Sequence, residues 1–245
     1  MKRFFITIEY DGTGLVGWQR QDNGPSVQQY LEEAALALTG QETLIQGSGR
    51  TDAGVHALGQ VAHLDVPDKF DARAVMMGLN AKCQSDKVRV LSSREVAPDM
   101  HARFSATYRA YLYRILNRPA PAALLRHQVW HIPQPLDVDA MQEAANLLIG
   151  SHDFTSFRAS ICQARSPVRT LDRLVISREG DEVHIRAGAR SFLHHQIRNF
   201  TGTLALVGKG RWTPQMVQDA LLAKDRSAAG PTAPPQGLYL TDIRF

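Results

Sequence analysis

Thr43-Leu-Ile-Gln-Gly-Ser-Gly-Arg-Thr-Asp-Ala-Gly-Val-His-Ala-Leu-Gly-Gln-Val-Ala-His-Leu-Asp-Val66 is the stretch on which the reading of the fold turns. Thr43–Gln46 reads as a short strand running in and Gln60–Val66 as a strand running out, since both are rich in residues that suit a pleated surface. The loop between them sets one carboxylate, Asp52, among glycines, Arg50 and His56. Glycine admits positive φ and lets another surface come close. An acid on such a loop, beside Arg50, is placed for presentation to a substrate. The alternative is an Asx-turn in which Asp52 bonds its own backbone and needs no substrate.

Working outward, Arg3–Tyr10 alternates, with Phe4, Ile6, Ile8 and Tyr10 on one face, and predicts a strand. Ser26-Val-Gln-Gln29 has the form of a capping box and opens a helix with Val27, Leu31, Ala34, Ala35 and Leu38 as its apolar stripe, ended by Gly40. Asp71–Asn80 predicts a helix and Val88–Glu95 a strand. The order is β-α-β-β-α-β, a ferredoxin-like unit.

Past Phe104 the same order is predicted again. Thr107–Asn117 is a strand and Asp139–Ile149 a helix closed by Gly150. Thr170–Arg178 and Glu182–Gly188 form a hairpin, and Ser191 caps a helix reaching about Val207. Thr213-Pro214 starts one more helix, and Leu238–Phe245 is the closing strand. The expected fold is therefore α+β. Two ferredoxin-like halves, residues 1–105 and 106–245, form a mixed, mainly antiparallel sheet with helices on one face and a cleft between the halves. Element order alone carries the repeat.

Of 245 residues, 44% are hydrophobic and 21% charged, the balance of an ordinary globular chain. No apolar run approaches the roughly 20 residues that span a bilayer. The N-terminal residues read as a strand rather than a signal peptide, and two cysteines are too few for a disulfide framework, so a reduced cytoplasmic setting is expected. His56, His63, His194 and His195 lack supporting carboxylates or thiols at ligand spacing, so no metal site is expected. The net charge of +4 leans toward a polyanionic partner. Arginines dominate the middle of the chain: Arg103, Arg109, Arg114, Arg118 and Arg126, then Arg158, Arg165, Arg169 and Arg173. Arginine forks onto phosphate and stacks on bases where lysine is a point charge. Any one of these is equally at home in a solvated surface pair. Tyr111 and Tyr113 share a face of their strand, as a stacking platform for bases or as core. Arg198 lies on the helix face opposite Leu193 and Ile197, where it could pair with a buried carboxylate or simply meet solvent. Gly202 continues that face and allows another element to approach closely.

Six segments, in order, carry a resemblance. They are Glu9-Tyr-Asp-Gly12 with Gly17-Trp-Gln-Arg-Gln21, Gly49-Arg-Thr-Asp-Ala-Gly-Val-His56, His101-Ala-Arg-Phe-Ser-Ala-Thr107, Asp153-Phe-Thr-Ser-Phe-Arg158, Ser191-Phe-Leu-His-His-Gln-Ile-Arg-Asn199 and Gly237-Leu-Tyr-Leu240. Nearly end to end, the chain resembles the bacterial tRNA pseudouridine synthase A family. The resemblance implies isomerisation of uridine to pseudouridine at positions 38, 39 and 40 in the anticodon arm of tRNA. It implies Asp52 as the catalytic carboxylate, Tyr111 stacked on the target uracil, Arg198 paired with Asp52, and Arg50 in the same cleft. It also implies a homodimer that uses tRNA as its partner and needs no metal or small-molecule cofactor. Arg20, Arg109, Arg114, Arg158 and Arg165 are the arginines expected to meet RNA. The chain departs from its relatives at Ala110 and Leu112, beside Tyr111, where they often carry arginine. Two rivals use the same residues: a non-catalytic RNA-binding protein built of two similar halves, and an RNA glycosidase using Asp52 with a histidine.

Overall fold

The computed structural model describes residues Met1–Phe245. Packing divides the chain into two units, Met1–Thr107 with Tyr239–Phe245, and Tyr108–Leu238.

In the first unit β1 (Lys2–Tyr10) leads to α1 (Val27–Thr39), β2 (Gln46–Gly47), β3 (His56–Val66), α2 (Ala72–Lys82) and β4 (Val88–Val96). β1 lies between β3 and β4, antiparallel to both, and β2 pairs antiparallel with β3 at His63 and Ala62. The order β4-β1-β3-β2 is that of a ferredoxin-like sheet. Alternation in β1 sends Phe4, Ile6 and Ile8 to one face, where they are fully buried along with Val27 and Leu31 of α1 and Val75 and Leu79 of α2. Ser26 caps α1 by accepting the Gln29 N–H at 3.2 Å, and Gly40 closes it in the left-handed region at φ 76. Only half of the capping box forms, because the Gln29 amide turns to Glu33 at 2.9 Å. Asp71 caps α2 through the Ala74 N–H at 2.7 Å.

The predicted strand at Thr43–Gln46 is displaced to Gln46–Gly47. The backbone of Ile45 is satisfied from α1 instead: its carbonyl accepts from Gln28 at 2.9 Å and its N–H donates to Glu32 at 3.4 Å. With those groups occupied, Ile45 has no need of a ladder partner.

The second unit runs β5 (Tyr108–Leu116), β6 (Trp130–His131), α3 (Val138–Asn146), β7 (Gly150–Asp153), β8 (Val168–Glu179), β9 (Glu182–Ala189), α4 (Gln196–Gly208) and α5 (Pro214–Ala223). β5, β9, β8 and β7 are neighbours in that order, each pair antiparallel. Gly180, at φ 60, makes the hairpin turn between β8 and β9. Two expectations shift. Gly150 opens β7 at φ 109 rather than closing α3, which ends at Asn146. Ser191 does not cap α4, because His195 takes a left-handed φ of 62 and delays the helix to Gln196. The Gln196 side chain reaches back to the Leu193 N–H at 2.7 Å and holds this approach. Thr213 and Pro214 start α5 as predicted. From Tyr239 on, the closing strand β10 (Leu238–Arg244) belongs to the first unit and runs parallel to the start of β3, Tyr239 opposite His56.

Candidate active site

The position of Asp52 is built from the first turn of α1. The N–H groups of Val27 and Gln28 have no partner within the helix and donate to the carbonyls of Gly17 and Trp18 at 3.2 and 2.9 Å. That fixes Gly17-Trp18, and Trp18 in turn donates its N–H to the Thr51 carbonyl at 3.1 Å. Gly17 stands at φ +105, and a Cβ there would lie 2.5 Å from the Thr51 carbonyl oxygen and 3.1 Å from the Asp52 carbonyl carbon. Only glycine lets the two loops approach so closely. The Trp18 ring, itself buried, lies beneath Gly47, where a Cβ would come within 2.6 Å of it. From β1, the Tyr10 hydroxyl meets the Thr51 hydroxyl at 2.8 Å.

Asp52 therefore follows a residue held from three sides. Its own turn is closed by the main chain, the Val55 N–H donating to the Asp52 carbonyl at 3.1 Å with Gly54 at φ 77. The Gly54 N–H donates to the Leu15 carbonyl at 3.3 Å, and the Gly12 N–H to His56 Nδ1 at 3.0 Å. His56 is buried and stacks on Tyr239, ring centroids 4.8 Å apart. Asp52 is partly buried and Arg50 exposed. The other acid of these loops, Asp11, makes the Asx-turn, accepting from the N–H and hydroxyl of Thr13 at 2.9 and 2.6 Å. Burial pushes Asp11 up, but those two bonds and the neighbouring His56 and Lys87 outweigh it and hold it below the ordinary carboxylate range.

In the second unit Tyr111 lies on β5 opposite Ala187 of β9 and is partly buried, its ring meeting Phe192 edge to face at 5.3 Å and 86°. Tyr113, two residues on, is core: fully buried, it donates its hydroxyl to the Pro234 carbonyl at 2.7 Å. Desolvation raises its phenol far above the ordinary value.

Arg198 occupies the first turn of α4, partly buried. Its Nε donates to the Ala233 carbonyl at 2.8 Å, and the Ala233 N–H returns a bond of 3.0 Å to the Arg198 carbonyl. One turn later Gly202 lies so close to Pro231 that a Cβ would overlap its carbonyl oxygen. Buried Asn199 ties the same segment by accepting from the Thr232 hydroxyl at 2.7 Å.

The remaining arginines differ in how far they are committed. Arg114 forks onto Glu182 at 2.8 and 2.6 Å, and buried Arg109 donates to the Arg190 carbonyl at 2.6 Å. Arg20 is exposed with Glu32 3.5 Å away, Arg165 is exposed and Arg158 partly buried. Sequence reasoning did not single out Phe192, Trp18 or Tyr10 as supports. An aromatic residue directly before the Leu193 stripe was the available signal for Phe192.

Residues 6–105 and 144–245 match the model of a family described as tRNA pseudouridine synthase, so the class of the protein is that of the pseudouridine synthases. Over 245 residues the chain is 59% identical to a tRNA pseudouridine synthase A of Rhodospirillum rubrum, covering all of this chain and 88% of the relative. It is 59% identical to the protein of that name in Rhodospirillum centenum and 52% identical to that of Sinorhizobium fredii, in each case over the whole of both chains. The chain belongs to the tRNA pseudouridine synthase family. Arg50, Asp52 and Arg198 fall inside the matched stretches, and Tyr111 falls in the interval between them.

Proposed function

We propose that this tRNA pseudouridine synthase modifies positions 38, 39 and 40 of the anticodon arm, with Asp52 as its catalytic carboxylate. The observation that carries the reading is the treatment of Asp52. The Gly17 backbone, the Trp18 N–H and the Tyr10 hydroxyl converge on Thr51, the residue before it, and the N-terminus of α1 fixes Gly17-Trp18 in place. A surface turn needs no such apparatus.

The reaction breaks the N1–C1′ bond, turns the detached uracil and joins its C5 to C1′; the C5 proton leaves as the ring regains aromaticity, and N1, freed from the sugar, takes up a proton. The product has the mass of the substrate, and no redox step occurs. Water has to be kept from C1′, or an abasic site results. An ionised carboxylate is needed to attack C1′ or C6, or to take the C2′ proton. In this reading Arg198 pairs with Asp52 and keeps it ionised against desolvation. Tyr111, braced by Phe192, stacks on the uracil while it is free of the sugar. The target nucleotide has to leave its stack to arrive there. In the same reading Arg50 serves this cleft, and Arg20, Arg158 and Arg165 track the phosphates. Arg109 and Arg114, expected from the sequence to join them, are instead committed within the fold to the Arg190 carbonyl and to Glu182. Like the family it belongs to, the chain is proposed to act as a cytoplasmic homodimer without a cofactor.

The test is to incubate the purified chain with unmodified tRNAs and map carbodiimide-dependent primer stops. Stops at 38, 39 and 40 are expected. Bound tRNA without stops would favour a binding module, and release of free uracil a glycosidase.

A further inference from the structure

The segment His101-Ala-Arg-Phe-Ser-Ala-Thr107 takes no part in the chemistry above, yet the first unit is built to display it. Phe104 is 73% exposed, an unusual position for a phenylalanine. It does not sit on a loose loop. The His101 N–H donates to the Ser105 hydroxyl at 3.0 Å, the Ser105 N–H to the His101 carbonyl at 2.9 Å, and the Arg103 N–H to His101 Nδ1 at 3.1 Å. The Ala102 N–H donates to Nδ1 of buried His63 on β3 at 3.3 Å. The backbone that carries Phe104 is therefore fixed before anything meets the ring.

Its ring also ends a continuous aromatic path across one face of the sheet. Phe5, His63 and Arg94 are cross-strand neighbours on β1, β3 and β4. Phe5 contacts Phe245 at 4.7 Å and His63 at 6.4 Å; His63 meets His101 at 4.5 Å, and His101 meets Phe104 at 4.4 Å. A guanidinium stands near each end, Arg94 at 5.1 Å from the Phe5 ring and 6.0 Å from that of Phe245, and Arg103 at 5.6 Å from the Phe104 ring. Phe5 and His63 are buried and serve as the backing of this path, so the ring presented to solvent is that of Phe104. An exposed ring with an arginine beside it suits an unpaired base on a phosphate backbone, the ring taking the base and the cation the phosphate.

Resting on the reading that this chain acts on RNA, we propose that Phe104, with Arg103 beside it, is a second stacking platform, which holds an unpaired base of the tRNA other than the uridine being isomerised. The charge favours this occupant over a second copy of the chain, since two such faces would bring arginines against arginines.

The test compares Phe104→Ala, Phe104→Leu and Phe104→Trp with the unaltered chain. Affinity for an unmodified anticodon stem-loop is read by filter binding, oligomeric mass by sedimentation, and pseudouridine by primer stops. Phe104 is exposed, so the substitutions leave the core intact. The expected result is affinity about tenfold weaker in Phe104→Ala and Phe104→Leu, recovered in Phe104→Trp, with indole fluorescence quenched by RNA and mass unchanged. Affinity equal to that of the unaltered chain in all three variants would overturn the proposal. So would a change of mass in Phe104→Ala rescued by leucine, which assigns the ring to a contact between copies. The binding readout stands apart from turnover: an unaltered chain that binds the stem-loop without making pseudouridine would sink the functional reading and leave the platform measurable.

Discussion

Gly17 and Thr51 are in van der Waals contact through their backbones, so close that a methyl group on Gly17 would lie 2.5 Å from the Thr51 carbonyl oxygen. This contact transmits the position of α1 to the loop that carries Asp52. Gly17→Ala adds that overlap to a φ of +105 that alanine rarely adopts, so a loss of about 1–3 kcal/mol is expected in urea denaturation. Turnover should fall further than stability does, because the relief of the clash moves the acid. Equal activity per folded molecule would contradict the role given to this contact.

Tyr111 and Phe192 form a pair in which one ring braces the other. Tyr111→Phe keeps the stacking surface and should bind tRNA within a few-fold of the unaltered chain. Tyr111→Ala should lose about 1–3 kcal/mol of binding, read as the rise in Kd. Phe192→Ala should raise KM without unfolding the protein, since the ring it supports gains freedom. Equal losses in Tyr111→Phe and Tyr111→Ala would remove the stacking assignment.

The proposed pairing of Arg198 with Asp52 predicts an asymmetry in stability. Arg198→Met strands a partly buried carboxylate and should cost about 1.5–3 kcal/mol, while adding Asp52→Asn to the same chain should recover most of it. Additive losses in the double variant would leave the two residues uncoupled. Gly202 should resist any larger residue for a separate reason, the overlap with Pro231.

His63 predicts a pH dependence of stability. Burial, then the neighbouring His101 and Arg3 charges, pull it from 6.5 down to about 4, with Asp65 opposing. Above pH 6.5 the ring is neutral folded and unfolded, so the contribution is complete there. As the pH falls from 6.5 toward about 4 the unfolded chain takes up a proton that the folded one refuses, and stability drops. Chemical denaturation at stepped pH should give a steeper acid loss in the unaltered chain than in His63→Gln. Parallel curves would contradict the assignment.

Much of the fold was legible where its signals are local. Ser26, Gly40, Asp71 and Thr213-Pro214 act within one turn of themselves, and each does what its type predicts. Alternation in β1 gave its buried face directly. The misread places depend on partners distant in sequence. Ile45 left the expected strand because Gln28 and Glu32 satisfy its backbone, and β7 exists because β8 offers it an edge. His195 was unreadable for another reason: a non-glycine residue at φ 62 has no signature in its type. At the candidate site the sequence singles out Asp52 and Arg198 through the segments around them and Tyr111 through its strand, and their roles are the proposal under test. Their supports, Phe192, Trp18 and Tyr10, look like ordinary core aromatics until their contacts are seen. Phe104 was visible in its motif, but only exposure distinguishes a displayed ring from a buried one.

The central claim is that one carboxylate does the chemistry. Asp52→Asn keeps the size and the loop while removing the charge, and tritium release from tRNA carrying 5-³H-uridine reads the loss of the C5 proton directly. The account predicts no release above background, with affinity for tRNA within a few-fold of the unaltered chain. Release at a rate near that of the unaltered chain would contradict it.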